Sequence, residues 1–277
     1  MSGKKWAATA TVVVLGALAA GCGGDPPPRP SAEVLAVDAA VAKLRASGSY
    51  RTEFEVRIDI GLATVRQAGE GRYRLADGPA SAIVAVREDN DRKKVADVEL
   101  VIVDGVHYLR STDVATPAKR PWVRMAGNER AISRYGTGVA WFPPADPLFW
   151  LDLRWTTTPN ESKRFANLGT EQVGEISTTR YSGGCKLALQ CFGPQIRGWF
   201  DRSAADTGYF TIDVWIDGDG QLRKYSVRSS VNLGQDYYPF NASAVIHDHG
   251  APVRVDPPPP AQVVEAAAIP SPSGRPT

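Results

Sequence analysis

Glu53-Phe54-Glu55-Val56-Arg57-Ile58-Asp59-Ile60 is a run in which every second side chain is apolar and each one between is charged. Successive side chains of a strand point to opposite faces. The run therefore places Phe54, Val56, Ile58 and Ile60 in a core and leaves Glu53, Glu55, Arg57 and Asp59 in water only as a strand of a sheet with one buried face. The same grammar recurs at Ala96, Val98, Leu100 and Ile102, with Asp97 and Glu99 between them. It recurs again at Phe210, Ile212, Val214 and Ile216, which alternate with Tyr209, Thr211, Asp213 and Trp215. Turn signals separate the runs: Asp77-Gly78, Asp89-Asn90-Asp91, Asp104-Gly105 and Gly218-Asp219-Gly220. Tight turns between half-polar strands predict an antiparallel meander, because a parallel sheet needs crossovers that this stretch lacks.

Around these strands the chain changes character. Ser31 stands before Val34, Val37, Val41 and Leu44, spaced as on one face of a helix that Ser47-Gly48 ends. Between Asn128 and Leu153 the alternation stops, and two short helices are expected near 128–136 and 145–153. This segment carries Ile132, Trp141, Phe142, Phe149 and Trp150 and needs an apolar surface to cover, which the buried face of the sheet offers. At the start, Lys4 and Lys5 precede an apolar run and then Leu18-Ala19-Ala20-Gly21-Cys22, the layout of an export signal over residues 1–21. The sequence there resembles the lipobox of bacterial lipoproteins, with leucine one place further from the cysteine than is commonest. That resemblance implies diacylation of Cys22. The apolar run is too short to span a bilayer, which takes about 20 residues. Residues 22–30 then form a proline-rich tether, reaching roughly 25 Å if extended. Residues 31–258 form one domain, and the proline-rich stretch 259–277 is expected to be a disordered tail.

Charge excludes one class of function. The chain holds 32 basic and 30 acidic residues, and removing Lys4 and Lys5 with the signal leaves 30 of each. A balanced chain lacks the basic stripe of a nucleic-acid binder. Of the 3 cysteines, Cys185 and Cys191 remain beside Cys22. An even pair in an exported chain reads as a disulfide, whose small loop contributes about 2 kcal/mol. A redox-active pair is the alternative, although the spacing is not Cys-x-x-Cys.

Catalytic patterns are sparse. The chain contains no Gly-x-Ser-x-Gly, no His-Glu-x-x-His and no phosphate-binding loop. His247-Asp248-His249 offers two metal-like ligands without a third and is better read as a polar pair ending the last strand. Asp217-Gly218-Asp219-Gly220 lacks the later ligands of a calcium loop and reads as a hairpin turn. His107 has no visible partner. The 7 tryptophans suit a β core or an apolar pocket as well as a sugar platform. No enzyme activity, cofactor or metal is expected.

Several segments taken together resemble a family. Val103-Asp104-Gly105-Val106-His107-Tyr108-Leu109, Val214-Trp215-Ile216-Asp217-Gly218-Asp219-Gly220-Gln221-Leu222 and Gly250-Ala251-Pro252-Val253-Arg254-Val255-Asp256-Pro257-Pro258 are similar to hairpin and closing elements of actinobacterial lipoproteins of the LolA-like superfamily, especially the mycobacterial LppX/LprG group. The resemblance covers about residues 31–258. The loop around Cys185–Cys191 and the stretch from Trp155 to Lys163 depart from it. It implies an α+β fold: a strongly curved antiparallel sheet, a half-barrel, with helices covering the concave face. It further implies an apolar cavity holding acyl chains of lipids or glycolipids. Residues placed to line such a cavity are Phe54, Val56, Ile58, Val98, Leu100, Ile132, Trp141, Phe142, Phe149, Trp150, Ile212 and Val214; a solidly packed core would use the same residues. The expected protein is a monomer held at the extracytoplasmic face of the cell membrane by the acyl chains of Cys22. The resemblance also admits two alternatives: an envelope-stress regulator that binds a protein partner, and a structural lipoprotein without ligand.

Overall fold

Ser31 opens the only α-helix among the described residues, α1 (Ala32–Ala46), by accepting a hydrogen bond from the Val34 backbone N–H through its side chain. Gly48, at φ 75°, lets the chain leave the last turn in a conformation that a side chain would strain. The computed structural model describes residues 30–59, 64–75, 81–90, 93–112, 114–126, 164–185, 210–232 and 237–269. The expected helices at 128–136 and 145–153 lie outside them.

Six strands precede the long connection: β1 (Ser49–Asp59), β2 (Thr64–Arg74), β3 (Ser81–Asn90), β4 (Lys93–Val103), β5 (Val106–Ser111) and β6 (Trp122–Ala126). Five follow it: β7 (Arg164–Val173), β8 (Ile176–Cys185), β9 (Phe210–Asp217), β10 (Leu222–Asn232) and β11 (Tyr237–His247). With β12 (Val263–Glu265) they form one sheet in the order β12-β6-β5-β4-β3-β2-β1-β11-β10-β9-β8-β7. The fold is α+β with a curved sheet that does not close on itself. The two halves meet where β1 pairs β11, Phe54 opposite Ala244. Asp104 at φ 51° and Gly105 at φ 75° make the expected two-residue turn between β4 and β5, and Asp217–Gly220 makes the one between β9 and β10.

Two expectations are corrected. The sheet is mixed rather than wholly antiparallel, because β12 lies parallel to β6. Residues 260–269 also belong to the domain instead of a loose tail. A 3-10 turn at Pro260–Gln262 leads into β12, a second at Ala266–Ala268 follows it, and Ile269 is buried in the core. The physical reason lies on the face turned away from the core. Val101, Trp122 and Val255 form a second apolar cluster there, joined by Ile83, Val103, Val253 and Val263. The segment after β11 covers this patch, and Arg124 bonds Glu265 across the last pair at 3.1 Å.

Packing on the core face is tight wherever glycine stands. A Cβ on Gly69 would collide with the Ala85 carbonyl oxygen and meet the Phe54 ring at 3.0 Å; one on Gly183 would meet the Phe165 ring at 2.8 Å. Since the obstacle at Gly69 is backbone, Gly69→Ala is expected to destabilise the protein by about 1–3 kcal/mol in urea unfolding. An unchanged midpoint would show that β2 and β3 are further apart than described.

His249 closes the far end of β11. Its Nε2 donates to the Leu222 carbonyl at 3.0 Å. Burial, with the nearby Arg223 charge, holds its pKa below the ordinary value. The unfolded chain therefore takes up this proton first, and stability falls as pH drops from about 7.5 to about 5.5, through the ordinary imidazole value of about 6.5. His249→Gln is expected to flatten that fall in urea midpoints, and an unaltered slope would assign it to other groups.

Candidate functional site

The pairing registers sort the strand residues onto two faces, and one face is mostly apolar. One row across it runs Val98, Val86, Gly69, Phe54, Ala244, Tyr225, Val214, each directly opposite the next. The adjacent row contains Gln67, Val56, Ala242, Val227 and Ile212. On the other side of the first row lie Leu100, Val84, Gly71 and Thr52. Six of the residues expected to line a cavity, Phe54, Val56, Val98, Leu100, Ile212 and Val214, thus share three neighbouring rows, and all are buried. Ile58 pairs Phe240 on β1, but its side chain lies outside the described residues. Ile132, Trp141, Phe142, Phe149 and Trp150 lie outside them as well, as do Cys22 and Cys191. Cys185 ends β8, opposite Phe210; its pairing with Cys191 therefore falls outside the description.

Among the described side chains, no Asp, Glu, Lys or Arg stands on this face; by register Glu88 of β3 also belongs to it, opposite Ala96 and Gln67. Polar members of the face include Thr52 and Gln67, which are buried, and by register His107, Ser111, Thr179 and Ser229 towards its margins. At one end the Tyr50 and Tyr73 rings stack with centroids 4.8 Å apart, filling the space next to α1. Ala82 stands opposite Tyr73 in that row, and two and three rows further on the side chains shrink to Ala244 and then to Ala96 and Ala242. The helix packs its buried residues, Val34, Val37, Val41 and Leu44, against β1, β7, β9 and β10. Lys43 anchors it by donating to the Asp219 carbonyl at 2.5 Å, in the turn between β9 and β10.

Sequence reasoning missed the small residues and β2 entirely. Thr64–Arg74 reads as polar, yet Gln67, Gly69, Gly71 and Tyr73 form one face, and Arg66, Ala68, Glu70, Arg72 and Arg74 form the other. The signal was the charge alternation, since the buried side carries glycine where bulk would be expected.

The opposite face holds the charges, and it is not uniformly wet. Asp213 is buried there and accepts from Arg180 at 3.0 Å and from Arg228 at 3.1 Å. Glu171 accepts from Arg180 at 2.9 Å and from the Trp215 indole at 2.8 Å, and these bonds, the indole's foremost, hold its carboxyl below the usual range. Arg180 and Lys224 lie over the Trp215 ring at 5.1 and 4.8 Å. Asp217, although burial pushes it up, is held below the usual carboxylate range by the Gln221 and Asp219 backbone N–H groups and by Arg223 at 2.6 Å. Nothing in this arrangement sets a nucleophile beside a base. His247 faces Asp248 at 3.4 Å and Glu53 at 4.0 Å, and Asp248 also pairs Arg51. The Arg51–Asp248 contact is a strand-end ion pair.

No family model matches the chain, and no curated protein matches it. Solved structures do. The Mycobacterium tuberculosis lipoprotein LppX aligns over 81% of this chain and 98% of its own, at 15% identity and a TM-score of 0.48. LprF from Mycobacterium bovis aligns over 82% and 96%, at 14% identity and a TM-score of 0.48. The Pseudomonas aeruginosa MucA/MucB complex aligns over 78% of this chain and 58% of that one, at 13% identity and a TM-score of 0.30.

Proposed function

We propose that this protein is a membrane-anchored extracytoplasmic lipoprotein that binds the acyl chains of a lipid or glycolipid against the core face of its sheet. The observation that carries the proposal is the predominantly apolar face that runs on from the α1 contacts across β2, β3, β4 and β5, with Glu88 at one register position towards its edge. Such a face has hydrocarbon as its natural complement. The apolar residues of 128–153, Trp141 and Phe149 among them, are proposed as the opposing wall. Burial of acyl chains drives binding at about 0.8 kcal/mol per methylene, and no covalent step or cofactor is involved. Diacylated Cys22 holds the domain on the bilayer, where two chains anchor firmly and one does not. The proline tether keeps the domain within reach of membrane lipids.

Two experiments test this reading. The exported chain carrying Cys22→Ser, purified without detergent and extracted, is expected to yield lipid in stoichiometric amount by mass spectrometry. Val98→Trp, which puts an indole where the proposed acyl chains would lie against the first row, is expected to lower that yield severalfold at unchanged circular dichroism. A chain that comes out empty and also fails to shift a fluorescent fatty-acid probe would overturn the proposal and leave the protein-binding reading. Separately, Cys22→Ser is expected to move the protein from the membrane fraction to the soluble one. Retention of the variant at the parent level would refute the lipid anchor.

A further inference from the structure

The face turned away from the core carries a groove of about 590 Å³, and its origin is legible in the register. Ser226, Ser243, Glu55, Ala68 and Arg87 stand directly opposite one another across β10, β11, β1, β2 and β3. Three of these five are small, so the row forms a trough. The next row, Arg228, Asn241, Arg57, Arg66 and Asp89, raises its long side chains along one side. Five strands at about 4.8 Å spacing make the trough roughly 19 Å long.

Its chemistry narrows the occupant. Arg57 is held by Asp59 through its Nε at 3.1 Å. Arg66 and Arg87 then stand near Glu55 and Asp89; the lining has three guanidinium groups and two carboxylates, and Asp59, just outside it, offsets the third. A polyanion would meet Glu55 in the floor, and a polycation would meet the guanidinium groups. A hydrocarbon would find Ala68 as the one apolar side chain of the row. What the groove offers in quantity is hydrogen bonding of both senses: guanidinium donors, carboxylate acceptors, the Asn241 amide, and the Ser226 and Ser243 hydroxyls. Sugar rings present hydroxyl pairs that donate and accept together, and forked carboxylate and guanidinium groups match such pairs. We propose that this groove binds a neutral oligosaccharide, either free or as the head group of a glycolipid. It lies opposite the proposed acyl-chain face, so either proposal stands if the other fails.

The test is an amide-shift titration of the isotope-labelled Cys22→Ser chain with mannotriose and maltotriose. Parallel titrations use dextran sulfate, zwitterionic phosphatidylcholine vesicles, and the same vesicles carrying a neutral glycolipid. Shifts confined to residues 55–57, 66–68, 87–89, 226–228 and 241–243, and insensitive to added salt, are the expected result. Ala68→Ile, β-branched at an exposed strand position, should weaken binding about tenfold with the melting temperature unchanged. Ser243→Val serves the same end if that variant unfolds early. Response to the glycolipid vesicles alone would identify a lipid head group, and response to the trisaccharides a free glycan. Absence of shifts in both arms, a salt-sensitive response to dextran sulfate alone, or an equal response to plain phosphatidylcholine would overturn the assignment.

Discussion

An open twelve-stranded sheet with one apolar face cannot stand in water alone, and that requirement governs the rest of the molecule. Each strand sends its alternate side chains to the same side, so the apolar area accumulates strand by strand and needs a cover from outside the sheet. α1 supplies part of it, over β1, β7, β9 and β10. The helix is pinned rather than merely adsorbed. Its N-terminus is capped by Ser31, its C-terminal Ser47 bonds the Leu44 and Ser49 carbonyls at 2.7 and 2.9 Å, and Lys43 reaches the β9–β10 turn.

The outer face shows how the sheet is kept from slipping. Asp213 would be costly to bury alone, but two guanidinium groups share one of its oxygens and span β8, β9 and β10. Removing either partner from such a buried carboxylate is far more harmful than the pair is helpful. At the other end, the segment after β11 lays Val253, Val255 and Val263 on the outer side of β3–β6. Glu99 and Arg110 pair across β4 and β5, and the Arg110 guanidinium covers Trp122 at 4.9 Å. Both devices act across several strands, so they hold register where single hydrogen-bonded pairs would not.

Strands such as β1, β4 and β9 were legible because they combine strict alternation with charged partners, and α1 because capping and periodicity agreed. The C-terminal strand was not. Val263-Val264-Glu265 is too short to show a period, and four prolines at 257–260 suggest an extended tail. What recruits it is a patch formed by Val101, Trp122 and Val255, residues far apart in sequence that only the register unites. Val101 and Val103 did carry a hint, as apolar residues on the side of β4 that the alternation assigned to water. In the candidate site the bulky residues could be read from period alone. Gly69, Gly71, Ala242 and Ala244 could not, because a small residue acquires meaning only from the ring or chain that rests on it.

The two faces of β1 to β3 are one residue apart in sequence and chemically unrelated. Val56 belongs to the core and Glu55 to the polar trough, and a slip of one residue would exchange them. Such a slip would drive Arg57, Arg66 and Arg87 toward the core, where unpaired charge is prohibitive, and set Phe54 and Val86 in water. The glycines of β2 add a steric lock: Gly69 must face Phe54 and pass Ala85, and its neighbours in sequence carry side chains that cannot. The register that protects the apolar face is therefore the same one that assembles the trough on the other side. Selection on either face preserves both.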